Sequence, residues 1–224
     1  MDGRDIVPQL IGGFAGGLYL ISPSVTDDAV LEEQCSAALT GGARILQYRE
    51  KPAPKKERAL MLLNICRRAG ALLIINDDAT LAATIDADGV HLGKNDGDVA
   101  AARRLLGSDK IIGVSVYNRP ELAEKAAKEG ADYCAMGAVF SSSTKPEAVS
   151  CPLESISAAK QRMSLPVVAI GGISPTNADL VYASGAEWAA VCAGVFTAAD
   201  ITAAARKITD AFAGFTKSER RWGN

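Results

Sequence analysis

The 224-residue chain has little net charge and no closely spaced cysteine pair, and each of these absences excludes a class of function. Its formal net charge of −2 provides no broad basic field, so nucleic acid is not an expected partner and any anion must be held by local groups. No C-x-x-C pair occurs among its five cysteines, which are Cys35, Cys66, Cys134, Cys151 and Cys192. These residues therefore indicate reduced, packed thiols of a cytoplasmic protein.

The chain also lacks a segment typical of secretion or membrane insertion. The apolar start from Ile6 to Ile21 is interrupted by Pro8 and several glycines and carries no basic cluster, so we expect neither a signal peptide nor a membrane span. No linker rich in proline or serine divides the chain. We expect one domain over residues 1–224, with a core at about 18–213 between a short lead and a frayed tail.

The chain does contain a regular alternation of apolar runs of strand length with segments of helical spacing. The predicted strands are 18–21, 45–46, 72–75, 89–92, 111–116, 133–136, 167–170 and 188–191. The predicted helices are 29–39, 57–69, 99–106, 121–128, 153–163, 178–183 and 201–212. This alternation predicts a parallel sheet, and about eight such units favour a closed (β/α)8 TIM barrel over an open doubly wound sheet.

A row of polar residues follows the second predicted strand. In the segment Ile-Leu-Gln-Tyr-Arg-Glu-Lys at 45–51, an extended conformation would place Gln47, Arg49 and Lys51 on one face. An amide and two cations at a strand end favour an anionic, phosphorylated ligand. The alternative is a solvated edge strand with alternating polar residues.

Polar residues also end other predicted strands, and on a barrel these ends converge on one mouth. They are Asn76, Asp77, Asp96, Ser115, Ser142, Ser143, Thr144, Lys145, Gly171 and Gly172. The two carboxylates, Asp77 and Asp96, lie on neighbouring units and suit Mg²⁺ that bridges to phosphate oxygens. Alternatively, each aspartate caps the helix that follows it.

Segments after the sixth and seventh predicted strands could hold a phosphate. The sequence Gly171-Gly172-Ile173-Ser174-Pro175 opens a helix, so its N–H groups can bind an anion, or its glycines can serve only a tight turn. The segment 142–145 offers hydroxyls and a cation, or forms an ordinary surface connection.

Two single residues invite a catalytic interpretation that the sequence does not support. His91 is the only histidine and lies near the end of the fourth strand, where packing is favoured over a general-base role. Cys192 lies near the eighth strand end, but no base or sign of a lowered pKa accompanies it. We therefore assign catalysis to neither residue.

Six motifs, taken in order, resemble the thiamine phosphate synthase family. They are LQYREK at 46–51, IND at 75–77, ADGVHLG at 87–93 with Asp96, GVS at 113–115, TKP at 144–146 and AIGGI at 169–173. The resemblance runs from about residue 18 to residue 212. It implies a barrel enzyme that joins 4-amino-2-methyl-5-hydroxymethylpyrimidine diphosphate to a thiazole phosphate, carboxylated or plain, with release of pyrophosphate.

The resemblance also implies roles for individual residues. The pyrimidine diphosphate would be bound by Gln47, Tyr48, Arg49, Glu50, Lys51, Asn76, Ser115 and Lys145. Mg²⁺ would be held by Asp77 and Asp96. The thiazole phosphate would face Ser142, Ser143, Thr144, Gly172, Cys192 and Ala193. Catalysis would come from charge stabilisation at the leaving pyrophosphate, without a general base, by Arg49, Lys51, Lys145 and Ser115.

The chain departs from the family pattern mostly on the thiazole side. Ala138 stands in place of proline, Ser142 of threonine, Trp188 of glycine, and Cys192-Ala193 of an aliphatic–serine pair. The alternatives are a thiazole tautomerase, whose pattern has histidine at position 138, a diphosphate-binding regulatory barrel without turnover, and a sugar-phosphate isomerase. The expected partners are small-molecule substrates, not nucleic acid or membranes, and a homo-oligomer stays open.

Overall fold

The structure, a computed structural model, describes residues 16–93, 97–141 and 149–213. Within these ranges, eight parallel strands close into a barrel in sequential order. They are β1 (Gly17–Ile21), β2 (Ile45–Tyr48), β3 (Leu72–Asn76), β4 (Gly89–Leu92), β5 (Ile111–Tyr117), β6 (Tyr133–Gly137), β7 (Val167–Ile170) and β8 (Trp188–Val191). The predicted TIM barrel is confirmed, and a closed barrel leaves no edge strand. The edge-strand interpretation of segment 45–51 is therefore wrong.

Helices connect successive strands on the outside of the barrel. The described helices are α1 (Asp28–Thr40), α2 (Lys56–Ala69), α3 (Ala79–Thr84), α4 (Val99–Leu106), α5 (Pro120–Glu129), α6 (Leu153–Lys160), α7 (Ala178–Ala183), α8 (Ala193–Phe196) and α9 (Ile201–Phe212). The two short helices, α3 and α8, were not among the predicted segments, and α6 ends earlier than predicted. In the described part of the chain, no helix is long and apolar enough to cross a bilayer.

Strand side chains alternate between the barrel lumen and the surrounding helices. The lumen is filled by Tyr19, Ile45, Ile74, Ile111, Tyr133, Ala135, Val168, Trp188 and Ala190. The opposite strand faces, with Leu20, Leu46 and Leu73 among them, pack against the helices in a second apolar cluster. The lumen is thus a packed core, and ligands have access at its mouth.

At the carboxyl end of the lumen, the inward positions of four neighbouring strands become polar. Gln47 lies two residues after inward Ile45, and Asn76 two residues after inward Ile74. Asn76 pairs in register with His91 on β4, His91 pairs with Gly113 on β5, and Ser115 lies two residues after Gly113 on the same face. The period of two therefore brings an amide pair, an imidazole and a hydroxyl to one layer at the mouth.

Trp188 lies at the amino end of β8 and is only 1% exposed. Its partners in register are Gly17 and Val168, so its ring fills the lumen near the start of the strands. Trp188 therefore does not lie on the thiazole side of the mouth, and the expectation that placed it there is wrong.

Candidate active site

The segment after β2 does not continue as one extended row. β2 ends at Tyr48, because the N–H of Arg49 donates to Ser22 Oγ at 2.9 Å instead of to the strand ladder. The prediction that Gln47, Arg49 and Lys51 share one strand face is wrong, since Gln47 alone lies in the strand. Arg49 and Lys51 are presented from the loop, before a cis Lys51–Pro52 peptide bond.

Tyr48 and Glu50 support this loop from the helix side. Tyr48 is buried, its hydroxyl contacts the Glu50 carboxylate, and it accepts a hydrogen bond from the N–H of Lys55 at 3.0 Å. The carboxylate of Glu50 also lies 3.3 Å from Nη1 of the buried Arg58. These contacts clamp the loop onto α2, and direct substrate contacts of Tyr48 and Glu50 stay a prediction.

The loops after β2 and β3 meet in an ion pair. Lys51 Nζ lies 2.6 Å from Asp77 Oδ2. Asp77 has a φ of 67°, a left-handed conformation that is unfavourable for residues other than glycine and often occurs at functional sites. Its N–H donates to the carbonyl oxygen of His91 at 2.8 Å. The backbone is thus fixed where it presents this carboxylate to Lys51.

The residue that caps α3 is Asp78, which accepts from the N–H of Leu81 at 2.7 Å. The capping alternative is therefore wrong for Asp77. The cap of α4 is Asp98, which accepts from the N–H of Ala100 at 3.1 Å. In the loops after β3 and β4, the aspartate that caps the helix is therefore a different residue from the aspartate predicted to bind the metal.

An open cleft of about 520 Å³ lies between the loops after β2, β3 and β4. Its lining includes Lys51, Asn76, Asp77 and Asp98. Carboxylate and amide oxygens beside a cation suit a hydrated metal ion that bridges to an anion. Asp77 therefore fits as one carboxylate ligand of Mg²⁺.

Several predicted site residues lie outside the described ranges. They are Asp96, the second predicted metal ligand, and the loop residues Ser142, Ser143, Thr144 and Lys145. Across 16–93, 97–141 and 149–213, no group of three or more histidine, cysteine, aspartate or glutamate side chains forms a metal site.

A chain of hydrogen bonds crosses the carboxyl end of the lumen and joins Gln47 to Ser115. Gln47 Nε2 donates to the Tyr19 hydroxyl at 2.8 Å, and the Tyr19 and Tyr133 hydroxyls are 2.9 Å apart. The Tyr133 hydroxyl lies 3.0 Å from His91 Nδ1, and His91 Nε2 lies 2.9 Å from Ser115 Oγ. Two predicted binding residues are thus connected through three residues that the sequence analysis did not assign to the site.

Burial keeps the interior of this chain uncharged. It lowers the pKa of His91 to about 4, against a smaller opposing effect of the Asp77 carboxylate. Burial also raises the pKa of the Tyr19 and Tyr133 hydroxyls well above their usual value. At neutral pH, His91 is therefore a neutral imidazole with one N–H, and it is a weak base.

On the other side of the mouth, the loops after β7 and β8 approach each other closely. Gly172 has a φ of 61°, and a Cβ there would lie 2.4 Å from the carbonyl oxygen of Ser141. A Cβ at Gly194 would lie 2.2 Å from the carbonyl oxygen of Ile173. Both positions require glycine, and the loops after strands seven and eight frequently form the phosphate site of a TIM barrel.

Cys192 and Ala193 form the step from β8 into α8. Cys192 is partly buried, and its Sγ lies 3.8 Å from the carbonyl oxygen of Ser22. Burial raises the pKa of the thiol, with a smaller opposing effect of Arg49. This pKa disfavours a thiolate nucleophile. Cys192 and Arg49 both contact Ser22, Cys192 through its Sγ and Arg49 through its backbone N–H.

The sequence matches known proteins over most of its length. The family model described as thiamine monophosphate synthase matches residues 18–195. A thiamine-phosphate synthase of Chromobacterium violaceum is 50% identical over 199 residues, which cover 88% of this chain and 96% of that protein. The chain belongs to the thiamine monophosphate synthase family.

Other relatives and solved structures agree with membership of the thiamine monophosphate synthase family. A thiamine-phosphate synthase of Methylobacillus flagellatus is 50% identical over 199 residues, covering 88% of this chain and 95% of that protein. The thiamine phosphate pyrophosphorylase structure from Pyrococcus furiosus has a TM-score of 0.79 and 34% identity, covering 90% of this chain and 98% of that one. A 3-hexulose-6-phosphate synthase structure, at 20% identity and a TM-score of 0.69, shares the fold.

Proposed function

We propose that this protein is a transferase that joins 4-amino-2-methyl-5-hydroxymethylpyrimidine diphosphate to a thiazole phosphate, giving thiamine phosphate and pyrophosphate. Family membership and relatives at 50% identity named thiamine-phosphate synthase support this reaction. The observation that carries the proposal is the Lys51–Asp77 pair beside the cleft, at the same mouth as Gln47 and Ser115. We further propose a cytoplasmic enzyme that acts on small molecules.

The diphosphate would lie on the side of the mouth formed by the loops after β2 to β5. There Lys51 and Arg49 would supply positive charge, and Asn76 and Ser115 would supply hydrogen-bond donors. The pair at 2.6 Å holds Lys51 in place before the substrate binds, so less reorganisation is needed as charge develops. Lys145 would add a further cation from the loop after β6.

Mg²⁺ would be held by Asp77 together with Asp96. When bound, it would neutralise charge on the diphosphate oxygens and so make pyrophosphate a better leaving group. Lys51 would then share the Asp77 carboxylate with the ion. This arrangement explains why an aspartate, rather than a capping residue, follows Asn76 at the end of β3.

The thiazole phosphate would lie on the opposite side, against the loops after β7 and β8. Backbone N–H groups near Gly172 and Ala193 would bind its phosphate, with Ser142, Ser143 and Thr144 adding hydroxyls. The side chain of Ala193 contributes no hydroxyl, so recognition there depends on the backbone.

The reaction would proceed as a loose displacement. The bond between the pyrimidine methylene carbon and the diphosphate oxygen breaks, and both electrons leave with pyrophosphate. The lone pair of the thiazole nitrogen then forms the new carbon–nitrogen bond. With the carboxylated acceptor, the carboxyl group leaves as CO2, and the ring carbon keeps the bonding electrons and takes up a proton. No proton has to be removed from the nucleophile, which agrees with the weak basicity of His91. Catalysis consists of positioning and charge stabilisation.

The test is pyrophosphate release by purified protein given both substrates and Mg²⁺, with thiamine phosphate identified as the product. We expect equal amounts of the two products, and none when either substrate is omitted. Tight binding of the pyrimidine diphosphate without product over hours, with either thiazole form, would contradict the proposal and indicate a regulatory barrel instead.

A further inference from the structure

The hydrogen-bond chain from Gln47 to Ser115 has a direction. We propose that this direction makes the Ser115 hydroxyl a dedicated donor to the substrate, and that Tyr19, Tyr133 and His91 are positioning residues that set it. The inference rests on the proposed function for the identity of the ligand, a diphosphate, and on the internal geometry for everything else.

The direction follows from counting protons from the Gln47 end. The Gln47 amide donates to the Tyr19 hydroxyl, so that hydroxyl uses its single proton on Tyr133. The Tyr133 hydroxyl, which accepts from Tyr19, then donates its own proton to Nδ1 of His91. Each buried hydroxyl has one donor and one acceptor partner, and leaving either unmet would be unfavourable.

The tautomer of His91 determines whether Ser115 accepts or donates in their hydrogen bond. A neutral imidazole carries one N–H, and since Nδ1 accepts from Tyr133, the proton must be on Nε2. His91 Nε2–H therefore donates to Ser115 Oγ across 2.9 Å. The proton of the Ser115 hydroxyl is not used within the chain, and it is available to a ligand at the mouth.

A chain with every hydrogen bond reversed would also satisfy all of its groups, but it would not suit a diphosphate ligand. If the Gln47 carboxamide turned its oxygen to Tyr19, every bond would reverse, and Ser115 would donate its proton to Nε2 of His91. Ser115 would then offer lone pairs alone, whereas diphosphate oxygens need donors. In the direction that starts from the Gln47 donor, the Gln47 oxygen is turned away from Tyr19. A substrate amino group bound to that oxygen would favour the same direction.

The packing of the rings maintains this connection. The Tyr133 ring stacks on His91 with centroids 5.6 Å apart and meets Tyr19 edge to face at 6.0 Å. A Cβ at Gly113 would lie 1.9 Å from Tyr133 Cζ, so glycine at this inward position makes room for the ring. The tyrosines thus have a fixed orientation inside a packed lumen.

Because His91 is the only histidine, its tautomer can be read directly from ¹⁵N NMR of protein labelled at histidine. We expect an unprotonated Nδ1 and a protonated Nε2 in the native protein at neutral pH, with and without added pyrophosphate and Mg²⁺. Finding the proton on Nδ1 would overturn the proposal. This measurement does not depend on turnover, so it separates failure of the inference from failure of the proposed function.

The sharper variant is Gln47→Glu, because an ionised carboxylate can accept but not donate. It should reverse the chain and move the His91 proton from Nε2 to Nδ1, which is three hydrogen bonds away from residue 47. An unchanged tautomer in the folded variant would overturn the proposal. Tyr182→Phe, which removes a hydroxyl outside the lumen, is the matched control and should leave the tautomer unchanged. If Gln47→Glu does not fold, Tyr19→Phe can replace it, because this variant disconnects Gln47 from Tyr133. We expect both His91 tautomers in Tyr19→Phe, and a single tautomer would contradict the proposal.

Kinetics provide a second test of the positioning role. Loss of the Tyr133 hydroxyl should lower kcat about tenfold with little change in KM for the thiazole phosphate, since one hydrogen bond is lost. In a Ser115→Ala background, Tyr133→Phe should have no further effect, because there is no serine proton left to orient. Additive effects of the two substitutions would indicate a merely structural tyrosine and contradict the proposal.

Discussion

The two sides of the barrel mouth are built from different parts of the polypeptide. The loops after β2 to β5 present charged and hydrogen-bonding side chains, with the Lys51–Asp77 pair as the centre. The loops after β7 and β8 present backbone, brought into place by Gly172 and Gly194. Side chains on the first side cannot be exchanged without loss of charge or donors. On the second side, side chains such as Ala193 can change as long as the path of the backbone stays the same.

This difference is consistent with the departure from the family pattern that the sequence resemblance implies at Cys192-Ala193. The departure at Cys192-Ala193 removes a hydroxyl but keeps the backbone N–H groups and the glycines around them. On the opposite side of the mouth, the sequence motifs from Gln47 to Ser115 are those that resemble the family pattern. We therefore expect substitutions to have large effects on the first side and effects on the second side that depend on backbone conformation.

The largest effect should come from Lys51→Ala. Loss of this cation removes charge stabilisation at the leaving group, so kcat should fall by about 10²–10³-fold, as for other preorganised electrostatic groups. Steady-state pyrophosphate release measures it. Lys55→Ala is the matched control, because Lys55 Nζ is exposed and lies 3.8 Å from Glu50 in a surface ion pair. Equal losses in the two variants would contradict a specific role for Lys51.

The buried His91 should make the stability of the folded protein sensitive to acid. Its pKa is about 4 in the folded protein and higher when unfolded, so the unfolded state binds the proton first as the pH falls. Stability should be unaffected by this group above about pH 6.5 and should fall by about 3 kcal/mol on going down to pH 4. Urea unfolding of the native protein and His91→Gln across this range measures the difference. A pH-independent difference would refute the neutral, buried imidazole.

On the backbone side, Gly172→Ala should raise the KM for the thiazole phosphate by roughly 10- to 100-fold, from about 1–3 kcal/mol of backbone strain. Affinity for the pyrimidine diphosphate should stay within about twofold, because the side-chain side is intact. Gly70→Ala is the matched control, since Gly70 has a similar φ of 64° but no atom within 4 Å of an added Cβ. It should lower stability without changing either KM. An unchanged thiazole phosphate KM in Gly172→Ala would contradict the assignment.

The smallest effect should come from Ala193→Ser, which introduces the hydroxyl that the family resemblance implies at this position. If backbone N–H groups hold the phosphate, the KM for the thiazole phosphate should change by less than about threefold, as expected for one solvent-accessible hydrogen bond. The measurement is a thiazole phosphate titration at saturating pyrimidine diphosphate. A much larger gain in affinity would show that recognition on this side depends on side chains after all.

Most of the fold could be predicted from the sequence, because each strand has an apolar run and most helices have a clear period. The strand at 89–92 was predicted with the bounds that the structure has. The helices α3 and α8 are absent from the helices predicted by periodicity, since six and four residues are too few to show a helical period. A helix after Asp77 entered only through the capping alternative. The same limit of short-range patterns applies to the predicted shared face of Gln47, Arg49 and Lys51, because the Ser22 hydroxyl ends β2 at Tyr48.

The candidate site was predictable in composition but not in arrangement. Lys51 and Asp77 were identified from their positions at strand ends, whereas their contact depends on the loop after β2, which no sequence pattern specifies. Tyr19 and Tyr133 have the pattern of core residues, and their hydroxyls meet across 114 positions of sequence. A connection of this length comes from barrel closure, so local reasoning could not reveal it.

The division of the mouth can be tested most directly by calorimetric titration of two variants with each substrate separately. Lys51→Ala should lose affinity for the pyrimidine diphosphate with Mg²⁺ and keep its affinity for the thiazole phosphate. Gly172→Ala should show the reverse, so that each variant loses one ligand and keeps the other. If either variant lost both ligands while remaining folded, or kept both, the two sides of the mouth would not be separate binding sites.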